Sequence, residues 1–211
     1  MNSVLEKMKS CMIVPVIALE EADKAEELAG ALCRGGLPCA EVTFRTAAAA
    51  ETIRRMRKAY PDMLVGAGTV LTTEQVNAAV DAGAQFIVSP GFNPRIVRYC
   101  IDRGLTIVPG TATPSEVEQA IEAGLEVVKF FPAEAAGGLN MIKSMSAPYG
   151  NMMFMPTGGI NPDNVREYLK FSKILACGGS WMVKKEYLDQ NQFDRIEELA
   201  REAVKIAKEV R

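Results

Sequence analysis

A chain in which short apolar runs alternate with amphipathic helical stretches eight times over has few ways to bury its surface. The runs are MIVPVIAL from Met12, CAEVTFR from Cys39, LVGAGTV from Leu64, FIVSPG from Phe86, TIVPGTA from Thr106, VVKFFPA from Val127, MMFMPTGG from Met152 and KILACGGS from Lys173. Each is six to eight residues long, the length of a buried strand rather than of a helix. Between them, EEADKAEELAGALCRGG is acidic at its start and ends in glycine, as a helix should. Thr72 or Thr73 before EQVNAAVDAG, Thr113 with Pro114 and Ser115 before EVEQAIEAG, and Asn161 with Pro162 supply caps and a proline suited to a first helical turn. Strand and helix in regular succession require parallel strands with helical crossovers, and eight such units favour a closed ring over an open doubly wound sheet. The expected fold is therefore α/β, a (β/α)8 TIM barrel of one domain over residues 1 to 211, with an extra N-terminal helix at residues 2 to 10 and a closing helix at residues 192 to 209.

The carboxyl ends of barrel strands gather on one face, where active sites are built from loops. Most of the runs end in small or polar residues: RT, GAGT, SPG, PGTA, PTGG and GGS. Glycine and proline also punctuate ordinary turns, so these endings alone decide nothing. Charge within the strands says more. Side chains alternate along a strand, so Cys39, Glu41, Thr43 and Arg45 share one face, while Ala40, Val42 and Phe44 make an apolar face fit to meet helices. The polar set should look into the barrel, with Glu41 and Arg45 roughly 13 Å apart along the strand, one deep and one near the mouth. Lys129 interrupts the apolar run VVKFFPAE and shares a face with Val127 and Phe131; by the same parity argument it too is expected to face inward, although both faces of this run are apolar and periodicity alone does not settle it.

Lysine is rarely buried without a partner, because an ammonium taken out of water must pair or give up its proton. A neutral lysine is a nucleophile that adds to carbonyls and forms an imine, whose nitrogen then serves as an electron sink. The alternative is an edge lysine whose stem packs on apolar neighbours while its head reaches water. Lys129, Glu41 and Arg45 in one barrel could equally be a structural ion network. Read as chemistry, the three residues divide the work. Lys129 forms the imine, Glu41 moves protons directly or through water, and Arg45 grips a carboxylate with its planar fork. Thr69, at the end of GAGTV, either adds a hydroxyl to that carboxylate site or is an ordinary strand-end threonine.

Two glycine pairs close the seventh and eighth runs, Gly158 and Gly159 in PTGGINPDN and Gly178 and Gly179 in CGGSW. Loops at these two places frequently hold phosphate in barrels, using backbone N–H groups and a helix N-terminus, and Ser180 can add a hydroxyl. Composition removes other classes. A formal charge of -2 and a pI near 5.4 offer no basic balance to nucleic acid or an anionic membrane. The start MNSVLEKMKS is polar and no apolar stretch approaches the roughly 18 residues of a span, so a cytoplasmic protein is expected. The five cysteines, Cys11, Cys33, Cys39, Cys100 and Cys177, contain no CxxC pair and read as reduced thiols. There is no histidine, which excludes His-based metal sites and the commonest general base near neutral pH.

The segments EVTFRT, VGAGTVL, IVSPG, VKFFPAE, PTGGI and GGSW, in this order and spacing, resemble the bacterial 2-keto-3-deoxy-6-phosphogluconate (KDPG) aldolases, which also act as 4-hydroxy-2-oxoglutarate aldolases. The similarity runs over essentially the whole chain. It implies a class I, metal-independent aldolase with no cofactor, on a (β/α)8 barrel that assembles as a homotrimer. The implied partner is a small keto acid or phosphosugar acid, with neither nucleic acid nor membrane. Matched motif by motif, the resemblance puts the Schiff-base lysine at Lys129 and the proton-transferring glutamate at Glu41. It puts pyruvate-carboxylate binding at Arg45 and Thr69, and pocket walls at Pro90 and Phe131. The distal hydroxyl and phosphate region falls on Thr157, Gly158 and Gly159 and on Gly178, Gly179 and Ser180. The aldehyde released stays open: glyceraldehyde 3-phosphate, glyoxylate and the galactonate-derived epimer all call for the same Lys129, Glu41 and Arg45. A non-catalytic phosphosugar-binding barrel would keep the glycine loops but needs no inward lysine and glutamate.

Overall fold

Each of the eight apolar runs contains a strand, and nearly every strand residue is buried, as both faces of a parallel sheet covered by helices must be. The structure, a computed structural model, describes residues 1–210. The strands are β1 (Ile13–Ile17), β2 (Cys39–Thr43), β3 (Leu64–Gly68), β4 (Ile87–Ser89), β5 (Ile107–Thr111), β6 (Val127–Phe130), β7 (Met153–Pro156) and β8 (Cys177–Gly179). Helix α1 (Ser3–Cys11) precedes them. The first seven strands are followed in turn by α2 (Ala25–Arg34), α3 (Ala49–Ala59), α4 (Thr73–Asp81), α5 (Pro94–Asp102), α6 (Pro114–Glu122), α7 (Gly138–Ser146) and α8 (Val165–Lys170), and β8 by α9 (Lys185–Asp189) and α10 (Phe193–Lys208). Neighbouring strands pair in parallel in the order β7-β6-β5-β4-β3-β2-β1-β8. Parallel bridges from Phe154 to Ile174 and from Thr157 to Gly178 join the two ends of that row, so the sheet closes on itself as a (β/α)8 barrel.

The helices cover the barrel with the apolar stripes that a 3.6-residue period produces. In α10 the buried set is Phe193, Ile196, Leu199, Ala200, Ala203 and Ala207, with charged residues between. Two of the expected caps form as read: Thr72 accepts from the Gln75 amide, and Thr113 and Glu116 make a reciprocal capping box that satisfies two otherwise orphaned donors. The third does not. Asn161 and Pro162 sit in a turn, with Asn161 Oδ1 accepting from the Asp163 amide, and α8 begins only at Val165. Likewise the run from Lys173 gives only three strand residues, because Ile174 meets β7 in a single bridge before the chain turns inward at Cys177.

Helix α1 lies across the amino-terminal end of the barrel. Asn2 caps it, Leu5 and Met8 are buried beneath it, and the Asn2 side chain donates to Thr106 Oγ1 just before β5. The terminal ammonium pairs with Glu126 just before β6, 3.2 Å away. That end is thus covered, and the opposite, carboxyl face of the barrel is the one left open. No helix among the described residues is long and apolar enough to cross a membrane.

Candidate active site

Lys129 points into the barrel. Its Nζ lies 3.2 Å from Glu41 Oε1, with Lys129 5 % and Glu41 0 % exposed, so β6 and β2 meet through a desolvated ion pair. The two strands stand four places apart in a ring of eight, and the pair therefore bridges opposite walls. Glu41 Oε2 is buried and accepts no hydrogen bond from the described residues. The Lys129 ammonium also stands 5.4 Å from the centre of the Phe131 ring, which is partly exposed at the mouth.

Glycine makes the room for this pair. A Cβ on Gly68 would lie 2.7 Å from Glu41 Cδ, nearer than real atoms approach. On the other side, Gly110 is the register partner of Lys129, and a Cβ there would lie 2.8 Å from the Gly91 amide nitrogen and collide with the Pro90 carbonyl. The absent side chain at Gly110 lets the loop carrying Pro90 pack closely on β5, beside the lysine strand. Pro90 thereby stands at the mouth, in a shallow cleft of about 360 Å³ that includes Val70, Ser89 and Phe92.

Arg45 lies two residues past the end of β2, exposed at the mouth and without an ion-pair partner among the described residues. It does not touch Glu41 or Lys129. Its Nε donates to Thr43 Oγ1 at 3.2 Å, and Thr43 Oγ1 in turn donates to the Ile17 carbonyl at 2.8 Å. Thr43 thus anchors the guanidinium through one nitrogen, and the remaining nitrogens can engage a carboxylate in bidentate fashion. Thr69 follows Gly68 and adopts φ 55°, a left-handed conformation that is an outlier for a β-branched residue. Such strain persists only where the surroundings impose it.

On the far side of the mouth, Gly158 and Gly159 both have positive φ, 102° and 81°. Thr157 Oγ1 is buried and unpartnered, and a Cβ on Gly178 would lie 3.1 Å from Thr157 Cγ2 and closer still to that oxygen. A side chain on Gly179 would strike the Trp181 ring, and Ser180 is exposed beside it. A helix N-terminus contributes little here, contrary to expectation: α8 is short and starts five residues beyond Ile160, and a single 3₁₀ turn, Trp181–Val183, follows β8. Any anion at this place would rest on loop amides.

Several participants were not legible as such in the sequence. Thr43 was on the inward face but had no role, and Glu134 stands at the end of VKFFPAE, where it accepts a hydrogen bond from Tyr168 of α8. Alternation along a strand could have flagged Thr43. Nothing local could have paired residues 34 positions apart.

The family model for "Aldolase: KDPG and KHG aldolase" matches residues 4–199. The 2-dehydro-3-deoxy-phosphogluconate aldolase of Haemophilus influenzae is 50% identical over 207 residues, 98% of each chain. The KHG/KDPG aldolase of Escherichia coli is 42% identical over 93% of this chain and 92% of its own. Among solved structures, the KDPG aldolase of Legionella pneumophila, with pyruvate captured at low pH as a covalent carbinolamine intermediate, superposes with a TM-score of 0.92 at 37% identity, covering 96% of this chain and 98% of that one.

Proposed function

The chain belongs to the KDPG and KHG aldolase family, and we propose from this that it is a class I aldolase that cleaves KDPG to pyruvate and glyceraldehyde 3-phosphate, and 4-hydroxy-2-oxoglutarate to pyruvate and glyoxylate. The observation that carries the reading is the inward Lys129 in contact with Glu41, a nucleophile and a proton acceptor 3.2 Å apart in a desolvated barrel.

Lys129 Nζ gives up a proton, for which Glu41 is the acceptor in contact, and adds to the C2 carbonyl of the substrate. Glu41 returns that proton to the carbinolamine hydroxyl, which departs as water and leaves an iminium and an ionised Glu41. Glu41, through a water, takes the proton of the C4 hydroxyl, the C3–C4 bond breaks, and its electron pair flows into the iminium while the aldehyde departs. The enamine is protonated at C3 from Glu41 or its water, and hydrolysis of the resulting iminium releases pyruvate and restores the amine. Arg45 and Thr69 hold the pyruvate carboxylate so that the breaking bond aligns with the imine system, an effect of orientation. Phe131 and Pro90 wall the pocket. Thr157, Gly158, Gly159, Gly178, Gly179 and Ser180 take the distal hydroxyl and the phosphate, whose binding energy helps to position the reacting carbons.

Borohydride reduction in the presence of pyruvate should fix one pyruvate-derived adduct on Lys129 and none on Lys129→Ala. An adduct on another lysine, or turnover by Lys129→Ala, would sink the mechanism. Activity should survive EDTA. The preferred aldehyde follows from kcat/KM compared for KDPG, its galactonate epimer and 4-hydroxy-2-oxoglutarate. We further infer a homotrimer from the family resemblance, with a sedimentation mass of about three chains expected; a monomeric mass would refute it.

A further inference from the structure

Glu134 closes the VKFFPAE motif, yet the mechanism above does not use it. It sits five residues beyond the lysine, in the loop that leaves β6, and its side chain, on an exposed residue, lies against the loop that leaves β7. A Cβ on Gly159 would lie 2.6 Å from Glu134 Cγ, and one on Gly138, the first residue of α7, would lie 3.0 Å from Glu134 Oε1 and 3.1 Å from the Tyr168 hydroxyl. Two glycines at positive φ thus make space for one carboxylate. Tyr168 is 2 % exposed in α8 and donates its hydroxyl to Glu134 Oε1. Burial first, and the neighbouring Glu134 second, push the Tyr168 hydroxyl well above its ordinary ionisation, which keeps it a donor. The same two loops are joined along their backbones, where Ala133 donates to the Thr157 carbonyl at 2.8 Å and Glu134 to the Gly158 carbonyl at 3.0 Å. From the other side, the Asn161 and Asn164 side-chain amides both donate to the Gly159 carbonyl.

We propose that Glu134, held by Tyr168, is a positioning residue that fixes the glycine loop after β7 relative to the lysine strand, and so sets the span between the imine and the substrate phosphate. This rests on the phosphate assignment made above. A substrate that carries a phosphate must bridge both ends of that span, whereas 4-hydroxy-2-oxoglutarate meets only the lysine end and its immediate surroundings. Loosening the latch should therefore penalise the first and spare the second.

The test is steady-state kinetics of Tyr168→Phe, Glu134→Ala, Glu134→Gln and the double variant Tyr168→Phe/Glu134→Ala on both substrates. Tyr168→Phe removes a single oxygen and keeps the ring packed, so it reports even where Glu134→Ala folds poorly. For KDPG, Tyr168→Phe and Glu134→Ala should raise KM about tenfold with little change in kcat, the scale of one hydrogen bond to a charged group. For 4-hydroxy-2-oxoglutarate, kcat/KM should stay within about twofold. Glu134→Gln, which still accepts from Tyr168, should restore most of the KDPG affinity, and the double variant should be no worse than Glu134→Ala alone. Equal losses on both substrates, additive losses in the double variant, or an unchanged KM for KDPG would each overturn the proposal. Ser180→Asp, which sets a carboxylate beside the loop amides and so repels a phosphate held there, separates it from its premise. If that change leaves KM for KDPG unaltered, the phosphate assignment fails and the latch fails with it; if Ser180→Asp raises KM while the latch variants do not, the latch alone is wrong.

Discussion

Two adjacent residues at the end of β3 carry more of the site than their chemistry suggests. Gly68 offers no functional group, but its missing side chain is the space that Glu41 occupies. Gly68→Ala should displace the carboxylate from Lys129 and lower kcat/KM by at least about tenfold, since reaction requires both groups in place. The overpacking should cost about 1–3 kcal/mol, measured by denaturant unfolding. A Gly68→Ala enzyme of full activity would show that the carboxylate has room the geometry does not reveal. Thr69 beside it holds an unfavourable φ of 55°, and relieving that conformation trades stability against function. Thr69→Gly should leave stability unchanged or raise it by up to about 1 kcal/mol, although glycine elsewhere in a strand or helix destabilises by a similar amount. KM for pyruvate in imine trapping should rise, because the hydroxyl is gone. Neither effect was visible in the sequence: GAGT reads as a strand ending, and only the positions of Glu41 and the backbone distinguish a turn glycine from one that makes room.

At the scale of elements, the rhythm of strands and helices was readable because each strand is short, apolar and closed by turn residues, and each helix has a stripe. The start of α8 was not. Asn161-Pro162 has the composition of a cap followed by a first-turn proline, but the Asn161 side chain is spent on its own turn and on the Gly159 carbonyl, which delays the helix to Val165. Helix α1 poses a different problem, since its amphipathic pattern does not say which end of the barrel it covers. Its last residue, Cys11, is half-buried, and a hydrogen bond to the Cys39 thiol at the start of β2 lowers its pKa, with burial opposing. Burial pushes the Cys39 thiol well up, and raises that of Cys100 to about 11. Alkylation consumes thiolate, so a lowered pKa means reaction at lower pH and a raised one means protection. Native-state labelling with iodoacetamide at pH 7.5, followed by peptide mass mapping, should modify Cys11 first and leave Cys39 and Cys100 intact until the protein unfolds. Labelling of Cys100 ahead of Cys11 would place α1 wrongly.

For the whole molecule, the decisive event is that ring closure brings β2 and β6 face to face. Alternation along the chain put Glu41 on an inward face and favoured one for Lys129 without settling it, because β6 is apolar on both sides and only the closed ring selects one. Once closed, the barrel holds an ion pair in its interior, a costly arrangement for a protein that needs only to be stable. Desolvating two charges offsets much of their attraction, and apolar residues of similar size commonly replace such a pair without loss. If the pair is there for chemistry, its removal should show that signature. Lys129→Met alone strands a buried carboxylate and Glu41→Leu alone strands a buried ammonium, each expected to cost about 3–5 kcal/mol. The double variant Lys129→Met/Glu41→Leu strands neither and should recover most of that loss in denaturant unfolding, while remaining unable to trap pyruvate. A double variant less stable than both singles would instead mark Lys129 and Glu41 as structural, and the inward lysine would then owe its place to the barrel rather than to the imine.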